Sequence, residues 1–411
     1  MKPITALALL IAWSYAIPTS AADTKPATID AKKFPTLQAA FDALPDSGGI
    51  VLIPPGTYEL TQPLLLTKGE VRIEGSGAST HIKNLNTKGE PAIVLRPPDR
   101  ATNTRSRIWR IQLGNFRVSG NTNSGDGLRA EGIQEIFLHG LSIDHHGGHG
   151  INLIDCYEDP RVSDNILTYN KLAGLNIVAC HDIVVNANHF EENQDALRCV
   201  DSFNLCMNGN NVDDHLRHGV VIENTYGSVV SGNMIEECNG IAIILDRDCY
   251  GITLSANVIA HHLQGGIDLR DAWGCAVSAN TFTIAHKASL RIGPDSGRIT
   301  VSANNFCNTY IGGGKDKRPP IDLKKTPNPM AGDEGTGVFL EGTSDVIISG
   351  NSFSGLSTEA VWTKGECQRI LVSGNVISDL RKAKTAINLG PAKSSIVKDN
   401  IIEERNVNLL K

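Results

Sequence analysis

The feature that most constrains this chain is a four-residue phrase that recurs about every 23 residues: an apolar residue, a polar residue, one variable residue, then asparagine. Ten asparagines end these phrases: Asn165, Asn188, Asn210, Asn233, Asn257, Asn280, Asn304, Asn351, Asn375 and Asn400. Successive asparagines are 22 to 25 residues apart, except for one step of 47 between Asn304 and Asn351. Between these asparagines apolar and polar residues alternate as in β-strands, and no helical stripe of apolar residues is present. The period therefore predicts a solenoid of β-strands.

A glycine followed by alternating apolar residues marks a second position in most periods. These glycines are Gly127, Gly150, Gly174, Gly219, Gly240, Gly266 and Gly337. Two short strands fit between the glycine and the asparagine, and a third follows the asparagine. Equivalent residues of stacked coils lie about 4.8 Å apart, and asparagine tolerates the left-handed backbone of a sharp bend. We therefore expect the asparagine side chains to form an internal hydrogen-bonded ladder.

Charge and the N-terminal segment bound the functional class. The chain carries 38 Lys and Arg against 44 Asp and Glu, a net charge of −6, which argues against a nucleic-acid binder. Lys2 precedes an apolar run over residues 4–17 and then small residues up to Ala22. This pattern predicts a signal peptide over 1–22, one domain over 23–411, and a secreted or periplasmic protein without a membrane span.

The N-terminal part of the domain supports a family resemblance. Residues 34–44 form an amphipathic helix candidate, and the segment from Gly48 to Tyr58 then reads as a strand followed by Pro-Gly-Thr-Tyr. With the asparagine coils, this order resembles the pectate-lyase superfamily. The resemblance implies an all-β fold, a single-stranded right-handed parallel β-helix with coils of about 23 residues and a capping helix near 34–44. The superfamily includes lyases, hydrolases, epimerases and non-enzymes, so the resemblance does not specify a reaction.

The same resemblance implies a groove for polysaccharide along the strands that begin with glycine. Counting from each glycine places ionisable side chains at outward positions and histidines in the loop before it, mostly over residues 195–291. The predicted catalytic residues are Glu223, Asp268, His218 and Arg270, and the predicted substrate-binding residues are Arg198, Asp201, His149, His215, His262, Asp271 and Arg291.

These residues leave several functions open. Hydrolysis needs two carboxylates, for which Glu223 and Asp268 are the best pair. Elimination needs a base, His218 or His149, and a cation beside a uronate carboxylate, Arg198 or Arg270. We therefore expect an enzyme that cleaves the glycosidic bonds of an acidic polysaccharide. The alternatives are a uronate-polymer C5-epimerase and a non-catalytic carbohydrate-binding or structural protein.

Three further expectations concern the surroundings of the groove. The long step contains a basic loop, about 308–336, that could fold over the groove as a lid. No cofactor is required by the pattern, although Ca²⁺ is compatible with the aspartate-rich positions, and outward apolar residues such as Ile154 and Ile244 would allow a homo-oligomer. Cys156 and Cys180 both lie six residues after their glycines, which predicts either a disulfide between adjacent coils or a stacked pair of thiols.

Overall fold

The chain folds into an elongated parallel β-helix, as seen in a computed structural model that describes residues 26–308, 335–380 and 383–403. Each coil contributes one strand to each of three parallel sheets, here called the front, second and third sheets in the order of the chain. The predicted signal peptide and most of the basic loop lie outside the described residues. Within the described residues, no helix has both the length and the apolar character needed to span a bilayer.

The front sheet contains the strands that follow the glycine positions. Its strands are Leu64–Leu66, Ile93–Leu95, Leu128–Glu131, Ile151–Ile154, Ala173–Val178, Asp195–Val200, His218–Glu223, Ile241–Asp246, Gly265–Leu269, Leu290–Ile292, Val338–Glu341, Val361–Lys364 and Ile387–Asn388.

The second sheet precedes the asparagine bend. Its strands are Thr28–Asp30, Gly49–Leu52, Val71–Glu74, Ile108–Gly114, Ile133–His139, Arg161–Ser163, Val184–Asn186, Cys206–Asn208, Val229–Ser231, Cys249–Tyr250, Thr253–Ser255, Ala272–Trp273, Ala276–Ser278, Gly297–Ser302, Ser344–Ser349, Gln368–Ser373 and Ile396–Lys398.

The third sheet follows the bend. Its strands are Gly56–Leu60, Thr80–Asn84, Arg117–Ser119, Ser142–Asp144, Ile166–Thr168, His189–Glu191, Asn211–Asp213, Met234–Glu236, Val258–His262, Thr281–Ala285, Asn305–Cys307, Ser352–Ser354, Val376–Ser378 and Ile401–Ile402.

A short helix, Leu37–Asp42, packs on the N-terminal end and lies inside the range expected for a cap. The Thr36 side chain accepts a hydrogen bond from the Ala39 amide and so caps the helix. Leu37 and Phe41 are buried against the first coils. A 3₁₀ turn, Ala31–Lys33, comes before it. The strand Thr28–Asp30 already pairs with Gly49–Leu52, so the sheet begins before the helix and not after it.

The asparagine ladder is present along the whole repeat. The Nδ2 of each asparagine donates to Oδ1 of the next asparagine at 2.9–3.0 Å, beginning with Asn165 to Asn188 and ending with Asn375 to Asn400. The same Oδ1 accepts the backbone N–H of the preceding asparagine, for example Asn188 Oδ1 from Asn165. The residue before several of these asparagines, such as Ala187 and Ala256, has positive φ. The bend therefore satisfies buried amide groups while the chain turns, and the prediction for these ten residues is confirmed.

The two cysteines singled out by spacing do stack, and they are not bonded to each other. Cys180 Sγ accepts the backbone N–H of Cys156 at 3.4 Å. In the next coils Ser202 and Thr225 occupy the same position and their hydroxyls accept the same kind of backbone N–H. The thiols thus serve as hydrogen-bond partners of the bend, and of the two expected arrangements the disulfide is wrong.

Candidate functional site

The strand register decides which residues face outward from the front sheet. Gly219, Gly266 and Gly337 occupy equivalent positions, because Val220, Ile267 and Val338 belong to one column of paired residues. The second and fourth residues after this position lie on the outer face of the sheet, and the first and third lie in the core. Some second-position residues, such as Val221 and Asp268, are nevertheless buried by their neighbours. We call the outward surface of the front sheet, from Asp126 to Lys364, the front groove.

The register corrects the sequence interpretation of one coil. Val220 pairs with Ile243, so Ala242 and not Gly240 is the equivalent of Gly219. Ile244 and Asp246 are then the outward residues, and Asp246 lies directly beside Glu223. Gly240 is needed for a different reason: a Cβ there would lie 2.4 Å from Nδ1 of His218. Sequence counting therefore missed Asp246 and treated Ile244, which is buried, as an apolar surface residue.

A chain of acids and arginines runs along the second half of the front groove. Arg198 contacts Glu223 at 2.7 Å, and in the next coils Arg270 contacts both Asp246 at 3.5 Å and Asp268 at 2.8 Å. Arg291 then joins Asp268 at 2.8 Å to Glu341 at 2.7 Å. Glu223, Asp268, Arg270, Arg198 and Arg291 are thus brought together as the sequence predicted.

The carboxylates in this chain are held differently. Asp268 is almost fully buried and each of its oxygens accepts from a different guanidinium, so it is fixed as a structural anion. Glu223 has one close arginine partner on Oε2, whereas Asp246 has a distant guanidinium at Oδ2 and accepts the backbone N–H of Arg247 at Oδ1. Within this row of acids and arginines, Glu223 and Asp246 therefore keep free acceptor capacity toward the groove. They lie on adjacent coils, whose backbones are about 4.8 Å apart.

His218 stands on the rim of the groove with its ring orientation fixed. Its backbone N–H donates to Oδ1 of Asp195 in the preceding coil at 3.1 Å, and its Nδ1 accepts the backbone N–H of Ile241 in the following coil at 3.1 Å. Asp195 is fully buried and is also held by Arg217. Burial lowers the pKa of His218, and the guanidinium groups of Arg217, Arg270 and Arg198 lower it further.

His149 has the same arrangement three coils earlier. Its backbone N–H donates to Oδ1 of Asp126 at 2.8 Å, and its Nδ1 accepts the backbone N–H of Ala173 at 3.1 Å. The other oxygen of Asp126 accepts from Asn152, whose own Oδ1 accepts from Asn176. Burial lowers the pKa of His149 as well. Two amides, Asn152 and Asn176, therefore occupy the outward positions beside His149, after the ion pair Arg129–Glu131 of the preceding coil, whereas ions line the later part continuously.

A cavity of about 350 Å³ opens toward the C-terminal end of the groove. In other coils His149 and His218 occupy the position before the glycine equivalent. In the two coils at the cavity this position is held by Gly265 and Ala288, whose small size leaves the space. Phe339 and Trp362 form one wall, with ring centroids 5.3 Å apart and planes 19° apart. The two aromatic residues were not among the sequence candidates, because aromatic side chains on a strand read as ordinary packing.

The remaining predicted site residues lie outside the groove. His215 and His262 are fully buried in the interior, so their prediction as substrate ligands is wrong: they occupy the inward column that contains Asn193, five residues after the ladder. Burial lowers the pKa of His215 to about 4 and that of His262 to about 3. Asp201 bonds Arg247 and Asn224 at the bend after the front strand, and Asp271 accepts the backbone N–H of Asp248.

One group of described residues has the composition of a metal site. Ligand-type atoms of Glu236, Glu237 and His261 lie within 4.8 Å of one another. Burial and the neighbouring carboxylates, Asp214 first, raise the pKa of Glu237 to about 7. The group belongs to the third sheet and its bend, away from the front groove.

Comparison with protein families identifies the architecture. The family model "Right handed beta helix region" matches residues 71–225 and 328–409, more than half of the chain. The chain belongs to this family of right-handed β-helix proteins. A second model, "Periplasmic copper-binding protein (NosD)", matches residues 172–316. A search of curated protein sequences gave no significant match.

Solved structures agree on the fold. The A-module of the mannuronan C-5 epimerase AlgE6 from Azotobacter vinelandii is 16% identical over 91% of this chain and 99% of its own, with a TM-score of 0.51. DFA-IIIase from Arthrobacter chlorophenolicus A6, in complex with GF2, is 13% identical over 79% and 94%, with a TM-score of 0.53. A mutant of the periplasmic alginate epimerase AlgG is 11% identical over 92% and 84%, with a TM-score of 0.54. At these identities the likeness establishes the pectin-lyase-like right-handed parallel β-helix.

Proposed function

We propose that this protein is an exported enzyme that hydrolyses glycosidic bonds of an acidic polysaccharide lying along the front groove. The observation that carries the proposal is the pair Glu223 and Asp246, two outward carboxylates on adjacent coils with an arginine on either side. Three solved proteins of the same fold are described by their titles as alginate epimerases and a DFA-IIIase, which supports a carbohydrate substrate without specifying the reaction.

The spacing of the carboxylates favours retention of anomeric configuration. Retaining glycosidases hold their two carboxyl groups about 5–5.5 Å apart, whereas inverting enzymes need about 6.5–9.5 Å. The backbones of adjacent coils are about 4.8 Å apart; because Glu223 and Asp246 are paired residues of such coils, we assign their carboxyl groups to the first class. The pair expected from sequence, Glu223 with Asp268, is two coils apart, and both oxygens of Asp268 are already engaged.

The two carboxylates have environments that suit different roles. Glu223 is held 2.7 Å from Arg198, which fixes the orientation of its carboxylate and suits the role of nucleophile. Asp246 has its arginine at 3.5 Å, so we assign it the remaining role, the acid that protonates the leaving oxygen and the base that then activates water. Arg198, Arg270 and Arg291 give the groove the cationic groups that an acidic polymer requires.

Elimination receives less support from the histidines. A backbone N–H can only donate, so Nδ1 of His218 and His149 must be the unprotonated nitrogen of the neutral ring. The groove-facing Nε2 then carries the proton and is not a free base. The epimerase alternative depends on the same proton abstraction and is weakened for the same reason.

A non-catalytic binding protein is the second candidate, because the match to the NosD model covers residues 172–316 and therefore most of the charged half of the groove. That family is described as periplasmic, which agrees with the exported location proposed from the N-terminal pattern. The polysaccharide partner, and Ca²⁺ as an accessory ion, are retained as proposals for both candidates.

The deciding experiment is incubation with a panel of acidic and neutral polysaccharides, with and without a chelator and added Ca²⁺. New reducing ends without ultraviolet absorbance of an unsaturated product support hydrolysis, and proton NMR of the first product then reports whether configuration is retained. An unsaturated product would replace hydrolysis by elimination. Saturable binding without any product from any polymer would favour the second candidate.

A further inference from the structure

His149 and His218 share a hydrogen-bond arrangement that the packing of the repeat does not require. In both, an aspartate at the same position of the preceding coil accepts the histidine backbone N–H, at 2.8 Å from His149 and 3.1 Å from His218. In both, Nδ1 accepts a backbone N–H of the following coil at 3.1 Å. The coil between them at this position carries Ala173 and the next carries Asp195, so the arrangement is repeated at two separate places.

The chemical consequence is that both rings present the same group to the groove. Because Nδ1 is occupied by a donor, the neutral ring carries its hydrogen on Nε2. Each Nε2–H is a hydrogen-bond donor, and both side chains are half-buried at the rim and not enclosed. The matching ligand group is an oxygen acceptor, such as a hydroxyl, a ring oxygen or a carboxylate.

The separation of the two donors sets the size of the ligand. His149 and His218 are three coils apart, which is about 14 Å along the axis. A single sugar cannot reach both. Arg198 lies between them, on the strand Asp195–Val200 that directly precedes the strand of His218 in the front sheet. A chain that follows the groove therefore meets one neutral donor, then a cation, then a second neutral donor.

We infer that the front groove binds an acidic glycan chain at two equivalent points, the Nε2–H groups of His149 and His218, and so selects chains long enough to span three coils. This inference rests on the proposed function only in assuming that the ligand is a glycan; it does not require catalysis. The two histidines are then binding residues, and the protein recognises internal segments of a polymer.

Asparagine is the most informative substitution at either position. Its Oδ1 can occupy the place of Nδ1 and keep the backbone N–H bond, while the Nε2–H donor is lost. We expect His149→Asn and His218→Asn each to weaken binding of long oligomers by about tenfold, the size of one hydrogen bond to a charged or strong acceptor. His189→Asn, on the third sheet, is the matched control because His189 also contacts a carboxylate but faces away from the groove.

The experiment has two readouts. Long-range proton–nitrogen NMR of the unliganded protein, assigned with the asparagine variants, should show both rings with hydrogen on Nε2; hydrogen on Nδ1 in either ring overturns the inference. Titration calorimetry with oligogalacturonates and oligomannuronates of two to six units should show a gain in affinity on reaching about four units, the length that spans three coils, and this gain should vanish in either variant.

The outcomes separate this inference from the proposed function. Length-dependent binding with no bond cleavage would contradict the proposed hydrolysis and leave the two-point groove standing. Cleavage with no length dependence, or with no loss in the asparagine variants, would contradict the two-point groove. Failure of both oligomer series to bind also counts against it, and unchanged melting temperatures of the variants exclude misfolding as the cause of a loss.

Discussion

The two halves of the front groove share one backbone and differ in chemistry. In the first half, the carboxylate of Asp126 accepts from the amide of Asn152, which in turn accepts from Asn176, below His149. In the second half, Arg198, Glu223 and their neighbours form a chain of ions beside His218. Because the front strands pair residue for residue, the difference lies in which side chains these strands present. A solenoid of this kind separates the tasks of folding and chemistry: inward columns fix the shape, and outward columns can change along the axis.

The largest expected effect is on turnover in the charged half. Glu223→Gln or Asp246→Asn should each lower kcat by about a thousandfold, since each removes one of the two carboxylates that the reaction needs. Glu341→Gln is the control, because Glu341 occupies the same outward column farther along and also contacts an arginine. Equal losses in all three variants, measured by reducing-end release, would show that general charge and not the Glu223–Asp246 pair matters.

The second effect concerns stability and compares the aspartates that hold the two histidines. Asp195→Ala should lower the free energy of unfolding by about 3–5 kcal/mol, since it leaves the half-buried Arg217 unpaired beside an emptied buried site. Asp126→Ala removes an acceptor from the uncharged donors of Asn152 and His149, leaves no arginine unpaired, and should cost about 1–3 kcal/mol. Denaturant unfolding measures both, and a larger loss for Asp126→Ala would reverse the distinction between the halves.

The third effect appears on acidification. Burial lowers the pKa of His146 to about 4, that of His215 to about 4 and that of His262 to about 3, so the unfolded chain binds protons more readily than the fold. The three neutral histidines contribute their full stabilisation above the unfolded-state pKa of about 6.5. This stabilisation decreases as the pH falls from there toward the folded-state pKa values.

At pH 5 this loss is about 2 kcal/mol per histidine. Two of the three histidines lie beneath the charged half, so hydrogen exchange should show those coils opening before the first half as the pH falls. Exchange that speeds up evenly along the solenoid would contradict this assignment.

The smallest effect concerns the cavity. Trp362→Ala removes one of the two stacked rings that line it and should weaken oligomer binding by about threefold to tenfold, the range for one aromatic contact. Asn176→Ala, at the equivalent outward position of the amide half, serves as the comparison. Calorimetry that finds the asparagine variant more damaged than the tryptophan variant would place the main contact in the first half.

The sequence was sufficient for the fold because the same asparagine requirement recurs in each coil from Asn165 to Asn400, and one misread coil does not alter the period. The site was harder. Asp246 was missed because Gly240, which makes room for the ring of His218, was taken as the start of the strand. His215 and His262 were misplaced because a loop histidine gives no sign of whether it points in or out; only their alignment with Asn193 does. The proposed roles of the remaining residues stay predictions until activity is measured.

The long step in the repeat has a consequence for how such a protein changes. Asn304 and Asn351 are 47 residues apart in the chain, yet their side chains are bonded at 3.0 Å like those of any adjacent coils. Leu290 pairs with Val338 in the same unbroken way. Because the entropy of closing a loop grows only slowly with its length, material added at this corner leaves the register of the coils on both sides intact. This corner is therefore a natural graft point, where a tag, a reporter or a second binding module could be inserted in the middle of the chain without disturbing the groove beside it.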